Sequence, residues 1–133
     1  MGAPAATAGS QVVGVDIHIV LVPSPGGPVP TPLPHPFSGQ ISGGVVATVA
    51  IGGLPAAVKG SVATNAPPHL ATPPGTAFQR PPGDKGTVEI GSFTVNIGGQ
   101  PAARVGDAVR TCNDPADMPV GTIVGPPTTV FIG

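Results

Sequence analysis

Three histidines, His18, His35 and His69, and one cysteine, Cys112, are the residues of this chain best suited to hold a transition metal. His18 stands fourteen residues after Pro4 and His69 fourteen residues after Pro55, and each proline opens a copy of one short motif. A third copy opens at Pro101; fourteen residues on is Pro115, with Cys112 three residues earlier. If a threefold axis relates the copies, His18, His69 and Cys112 project from equivalent places. His35, in the proline-rich stretch 23–37, would be the fourth ligand, brought in by a loop. Imidazoles with one thiolate make a tetrahedral set for zinc. With all four positions filled by protein, no place is left for an activated water, so the site is read as structural. Iron competes for the same ligands. A zinc hydrolase is the catalytic alternative; it would need an open position and a general base, for which Asp16, Asp114 and Asp117 are the nearby acids.

The elements that must position these ligands come from internal repetition. The motif PAAxxG occurs at 4–9, 55–60 and 101–106. Thr48-Val49-Ala50-Ile51-Gly52-Gly53 and Thr94-Val95-Asn96-Ile97-Gly98-Gly99 precede the second and third copies. Nothing of the kind precedes the first. Its counterpart, Thr129-Val130-Phe131-Ile132-Gly133, lies at the other end, so the strand at 128–133 is expected to complete the first repeat. The reading is an all-β fold of three pseudo-threefold repeats with adjacent termini, 1–133 forming one domain with no appended extension. Gly43-Gly44 and Gly91-Ser92 read as hairpin turns, and 23–37 and 73–82 as ordered loops. No apolar pattern at helical spacing lasts two turns without Gly or Pro interrupting it.

Composition bounds the function. With 21 Gly and 20 Pro among 133 residues, the chain looks at first like an unstructured Pro/Gly-rich surface protein. Only 8% of residues are charged and 40% are hydrophobic, which argues for folding instead. Trp and Tyr are absent and Phe numbers four, so the core is small and a metal staple would supply stability. A net charge of −1 with scattered basic residues gives no footprint for nucleic acid. A single cysteine excludes an internal disulfide. No run of about 20 apolar residues is present to span a bilayer as a helix.

Pro101-Ala102-Ala103-Arg104, followed by Val105-Gly106-Asp107 and then Cys112, resembles the motif that names the PAAR-repeat family. Degenerate copies at Pro4 and Pro55 extend the resemblance over nearly the whole chain. Thr7 and Val58 stand where the third copy has Arg104, and Ser10 and Ser61 where it has Asp107. The resemblance implies a conical β-pyramid with one structural zinc near its apex, held by His18, His35, His69 and Cys112, and no enzymatic activity. It also implies a homotrimeric spike protein as partner, of the valine-glycine-repeat or phage-spike type, capped one tip per trimer. Such tips belong to type VI secretion systems and related phage-tail-like contractile injection particles. They are made in the bacterial cytoplasm and ejected on firing, meet the target membrane only on puncture, and carry effectors as optional cargo. Arg104 and Asp107 are read as a local pair rather than a partner contact.

Overall fold

The computed structural model describes residues 2–133, and among the described residues it contains thirteen strands and no helix. In chain order these are β1 (Ala3–Pro4), β2 (Gln11–Val22), β3 (Val29–Gly43), β4 (Val46–Ile51), β5 (Leu54–Ala56), β6 (Val62–Asn65) and β7 (Ala77–Phe78). They continue as β8 (Lys85–Val88), β9 (Asn96–Ile97), β10 (Gln100–Pro101), β11 (Ala108–Thr111), β12 (Met118–Gly125) and β13 (Phe131–Ile132).

The three PAAxxG copies meet around one axis. Ala6 N–H donates to Ala103 O (2.9 Å), Ala103 N–H to Ala57 O (3.0 Å) and Ala57 N–H to Ala6 O (3.0 Å), closing a cycle. A second cycle links Ala8 to Pro55 O, Lys59 to Pro101 O and Val105 to Pro4 O. Ala5, Ala6, Ala56, Ala57, Ala102 and Ala103 are all buried. A methyl is the side chain that permits such close backbone approach while still contributing apolar surface. Each copy then turns in the same way: Ser10, Ser61 and Asp107 each accept a hydrogen bond from the backbone N–H three residues back, at Thr7, Val58 and Arg104.

On one side of this ring lie three two-stranded hairpins, β4–β5, β9–β10 and β1–β13. The last joins the two ends of the chain, Ala3 opposite Ile132 and Pro4 opposite Phe131. Ile51 and Ile132, buried, and Ile97, partly buried, pack from these hairpins beneath the alanines. The hairpin turns fall at Gly52-Gly53 and Gly98-Gly99, where φ values of +60°, +82°, +59° and +82° exclude most side chains. The turns expected at Gly43-Gly44 and Gly91-Ser92 are instead corners. There the chain leaves one sheet for another, since β3 pairs with β6 while β4 pairs with β5.

On the other side, β12, β11, β8, β6, β3 and β2 follow one another in a sheet that the β12–β2 pairing closes into a barrel. Its interior is apolar: Val12, Ala63 and Val109 with Ile41, Val88, Ile123 and Phe37. Gly39, Gly86 and Gly121 stand two residues before Ile41, Val88 and Ile123. A Cβ on Gly39 would lie 2.2 Å from Thr64 O, one on Gly86 2.9 Å from Val109 Cγ1 and one on Gly121 2.8 Å from Thr111 Cγ2. The barrel is therefore drawn too tight at this level for any side chain on those three strands.

The proline-rich stretch expected as a loop is a strand over most of its length. β2 and β3 pair without interruption from Gln11↔Gln40 to Val22↔Val29. Pro30, Pro32, Pro34 and Pro36 recur with the period of a strand and lie opposite Leu21, Ile19, Ile17 and Val15. The N–H groups of Ile17 and Ile19 point away from β3, to Asn113 Oδ1 (2.7 Å) and Asp114 Oδ2 (2.9 Å). The prolines thus occupy the non-bonded positions of the ladder, and their missing N–H groups face the open edge, where proline is tolerated and discourages further strand pairing. Alternation then decides the rest: the intervening His35 and Phe37 point inward and are buried.

Candidate metal centre

The long β2–β3 hairpin runs past the apolar barrel, and its inner face changes character. Val12 is followed along the buried face of β2 by Asp16, His18 and Val20, at 0%, 1% and 0% exposure. From the second repeat, the segment between β6 and β8 folds over this face and delivers His69. Gly75 in that segment is fitted against the hairpin, because a Cβ there would stand 2.5 Å from Val20 Cγ2. From the third repeat, Cys112 follows β11 directly.

Three of the four ligands expected from the sequence converge, with one acid. Asp16, His18, His69 and Cys112, all buried, offer ligand atoms within 4.8 Å of one another. His35 packs against the group as a ring, its centroid 5.4 Å from that of His18 and 5.6 Å from that of His69. Its nitrogens are engaged by backbone: Nδ1 donates to Leu33 O (2.8 Å) and Nε2 accepts from Thr72 N–H (3.1 Å). His18 is the opposite case. Neither of its ring nitrogens has a hydrogen-bond partner among the described residues, although the side chain is buried. Nδ1 stands 3.5 Å from Asp114 Oδ2. A buried imidazole left unpaired on both sides is costly, and its position among a thiol, a second imidazole and a carboxylate fits a metal ligand.

Asp16 enters the sequence reading only as an acid of the hydrolase alternative. In the structure its Oδ2 accepts from His69 Nε2 (2.9 Å) and from Cys112 Sγ (3.5 Å). Its Oδ1 accepts from the Thr111 hydroxyl and from Asn113 Nδ2 (3.2 Å). The available signal was its place two residues before His18, on the same face of a strand.

Burial shapes the electrostatics. Desolvation, reinforced by the Asp16 charge, pushes the Cys112 thiol up to about 11. Desolvation also lowers His35, with His18 and His69 adding to the effect and the Leu33 carbonyl opposing it. For Asp114, burial works against ionisation, yet the Ile19 amide and the Arg80 guanidinium outweigh it and hold the carboxyl below its ordinary value. A thiol held protonated is no nucleophile at neutral pH, but a metal that displaces the proton makes it a thiolate ligand. A cleft lined by His35, Asn65, His69 and Thr72 opens beside the group.

A closed all-β unit of three pseudo-equivalent repeats, with a buried His, Asp and Cys group at one end, is a small β-pyramid able to hold a metal. Residues 79–133 match the family model of the PAAR motif, which is consistent with a PAAR-repeat protein. No curated protein matches the chain.

Proposed function

We propose that residues 1–133 act as one PAAR-like domain, with 128–133 completing the first repeat, that caps the trimeric β-helical spike of a contractile injection system. The observation that carries this reading is the closed cycle of hydrogen bonds through Ala6, Ala57 and Ala103. It gives one chain three near-equivalent faces about an axis, which is what a single copy needs to seat on the threefold end of a trimer. The three hairpins on the far side of that ring from the metal group form the docking face. They and their flanks expose Val49, Leu54, Phe93, Val130 and Phe131.

At the other end, a structural zinc held by His18, His35, His69 and Cys112 would tie together segments from all three repeats. His35 would complete the set by giving up its bond to the Thr72 amide. Zinc suits the set because two or three imidazoles and a thiolate match its tetrahedral preference. Bound there it supplies cross-linking, and its binding energy becomes folding energy. The role is mechanical rather than enzymatic: the tip sharpens the spike for membrane puncture and offers its surface to effectors as optional cargo. The protein would be made in the bacterial cytoplasm, assembled at the point of the particle and lost from the cell on firing.

The test is to mix the purified chain with the spike trimer from the same injection cluster and measure the mass of the complex by light scattering. One chain per trimer supports the reading. No complex, or three chains per trimer, overturns it.

A further inference from the structure

Asp16 is a fully buried carboxylate that the zinc set does not require. Among the described residues no lysine or arginine pairs with it; its partners are a hydroxyl, an amide, an imidazole and a thiol. A charge removed from water without an opposite charge destabilises a folded chain. Zinc bound by one thiolate and neutral imidazoles keeps one net positive charge, which is equally unfavourable in a dry site. Each would cancel the other. The two unpaired nitrogens of buried His18 point independently to a ligand at this place.

We infer that Asp16 is the counter-charge of the metal centre, a positioning residue that holds His69 and Cys112 and makes the site neutral only when a divalent cation is bound. This rests on the metal reading above and deepens it. Thr111 and Asn113 fix the other carboxylate oxygen, so Asp16 cannot turn away from the group without breaking both bonds. The consequence is a trade: Asp16 weakens the metal-stripped protein and strengthens the loaded one.

The experiment compares wild type with Asp16→Asn, which is nearly isosteric and still offers an acceptor to Thr111 and Asn113. Each protein is stripped with chelator and melted, then titrated with zinc against a competing chelator and with cobalt(II) to read the thiolate charge-transfer band. Stripped Asp16→Asn is expected to melt above stripped wild type, while its zinc affinity falls by about 10–100-fold, the usual effect of losing an outer partner of a metal ligand. The cobalt band persists because Cys112 remains. Asp16→Glu, which keeps the charge, is expected to bind zinc more tightly than Asp16→Asn. A purely structural role predicts that stripped and loaded Asp16→Asn lose stability in parallel, and that result overturns the inference. So does unchanged zinc affinity, or a weaker Asp16→Glu than Asp16→Asn. A wild type that takes up neither zinc nor cobalt overturns the metal reading itself.

Discussion

Phe37 and Gly86 are fitted to each other across the barrel: a Cβ on Gly86 would stand 3.3 Å from Phe37 Cζ, with Val109 Cγ1 closer still at 2.9 Å. Among the described residues Phe37 is the largest fully buried side chain. Its ring lies against Gly86, where the facing strand carries no side chain. Gly86→Ala should therefore overpack the barrel and cost about 1–3 kcal/mol, and Phe37→Ala should leave a cavity costing about 3–5 kcal/mol. Denaturant unfolding of the two variants checks both values. A neutral Gly86→Ala would mean that the barrel relaxes without strain.

The barrel glycines were not legible in the sequence, although the repeat that contains them was. The PAAxxG copies and their strands survive as short identical strings, so the ring, the three hairpins and the closing of β13 on β1 follow from counting. Gly39, Gly86 and Gly121 are equally threefold, but the return strands begin after connections of different lengths, which hides the correspondence. The prolines of β3 misled for another reason. Composition suggests a loop, whereas their spacing of two is a strand period, and only the register with β2 reveals that their missing donors face the edge. His18 and His69 share one station in the repeat and Cys112 stands three residues short of it, which singled out the three side chains that converge with Asp16. Asp16 has no counterpart acid in the other copies and so carried no such mark.

Arg104 is the one arginine of the three motif copies, and its position accounts for it. It lies opposite Ala5 in the ring, beside the β1–β13 pair, whose two strands are not joined by a turn. Its guanidinium bonds both oxygens of Asp107 (3.1 and 2.8 Å) and donates to Gly133 O (3.2 Å). At Thr7 and Val58 the adjacent hairpin is covalently continuous, and neither position needs a clamp. Arg104→Ala should cost about 1.5–3 kcal/mol, the scale for hydrogen bonds to charged groups. Hydrogen exchange should show the extra opening at Ala3–Pro4 and Phe131–Ile132 first. Uniform loss of protection over the whole ring would contradict a local clamp.

Stability of the metal-stripped protein should fall on acidification in two separate windows. His35 is held below its ordinary value of 6.5, chiefly by burial. The unfolded chain therefore takes up a proton there before the folded one does, and stability drops as pH falls below 6.5, levelling off below the folded value. Asp114 is held below its ordinary 3.8, with the Ile19 amide and Arg80 outweighing burial. Its contribution is fully present above that value and is lost as pH falls through the lower folded one. Thermal melts from pH 8 to pH 2.5 test this, with His35→Gln expected to remove the upper window and Asp114→Asn the lower. An upper window that persists in His35→Gln belongs to another group.

The protonated thiol makes metal binding itself depend on pH. With Cys112 pushed up to about 11 by burial and by Asp16, zinc must expel a proton to gain its sulfur ligand. Affinity should then rise about tenfold per pH unit through neutrality from this residue alone. Cys112→Ser should remove that slope along with the thiolate band, and it should weaken zinc by more than the roughly 10–100-fold that follows loss of an outer partner. The two histidines separate in the same measurement. His18 has both nitrogens free of hydrogen bonds, whereas His35 must surrender the Thr72 amide before it can ligate. His18→Ala should accordingly cost more zinc affinity than His35→Ala. If His35→Ala proves the more damaging, the ring that now leans on the group is its principal ligand, and the backbone bonds of His35 yield easily to the metal.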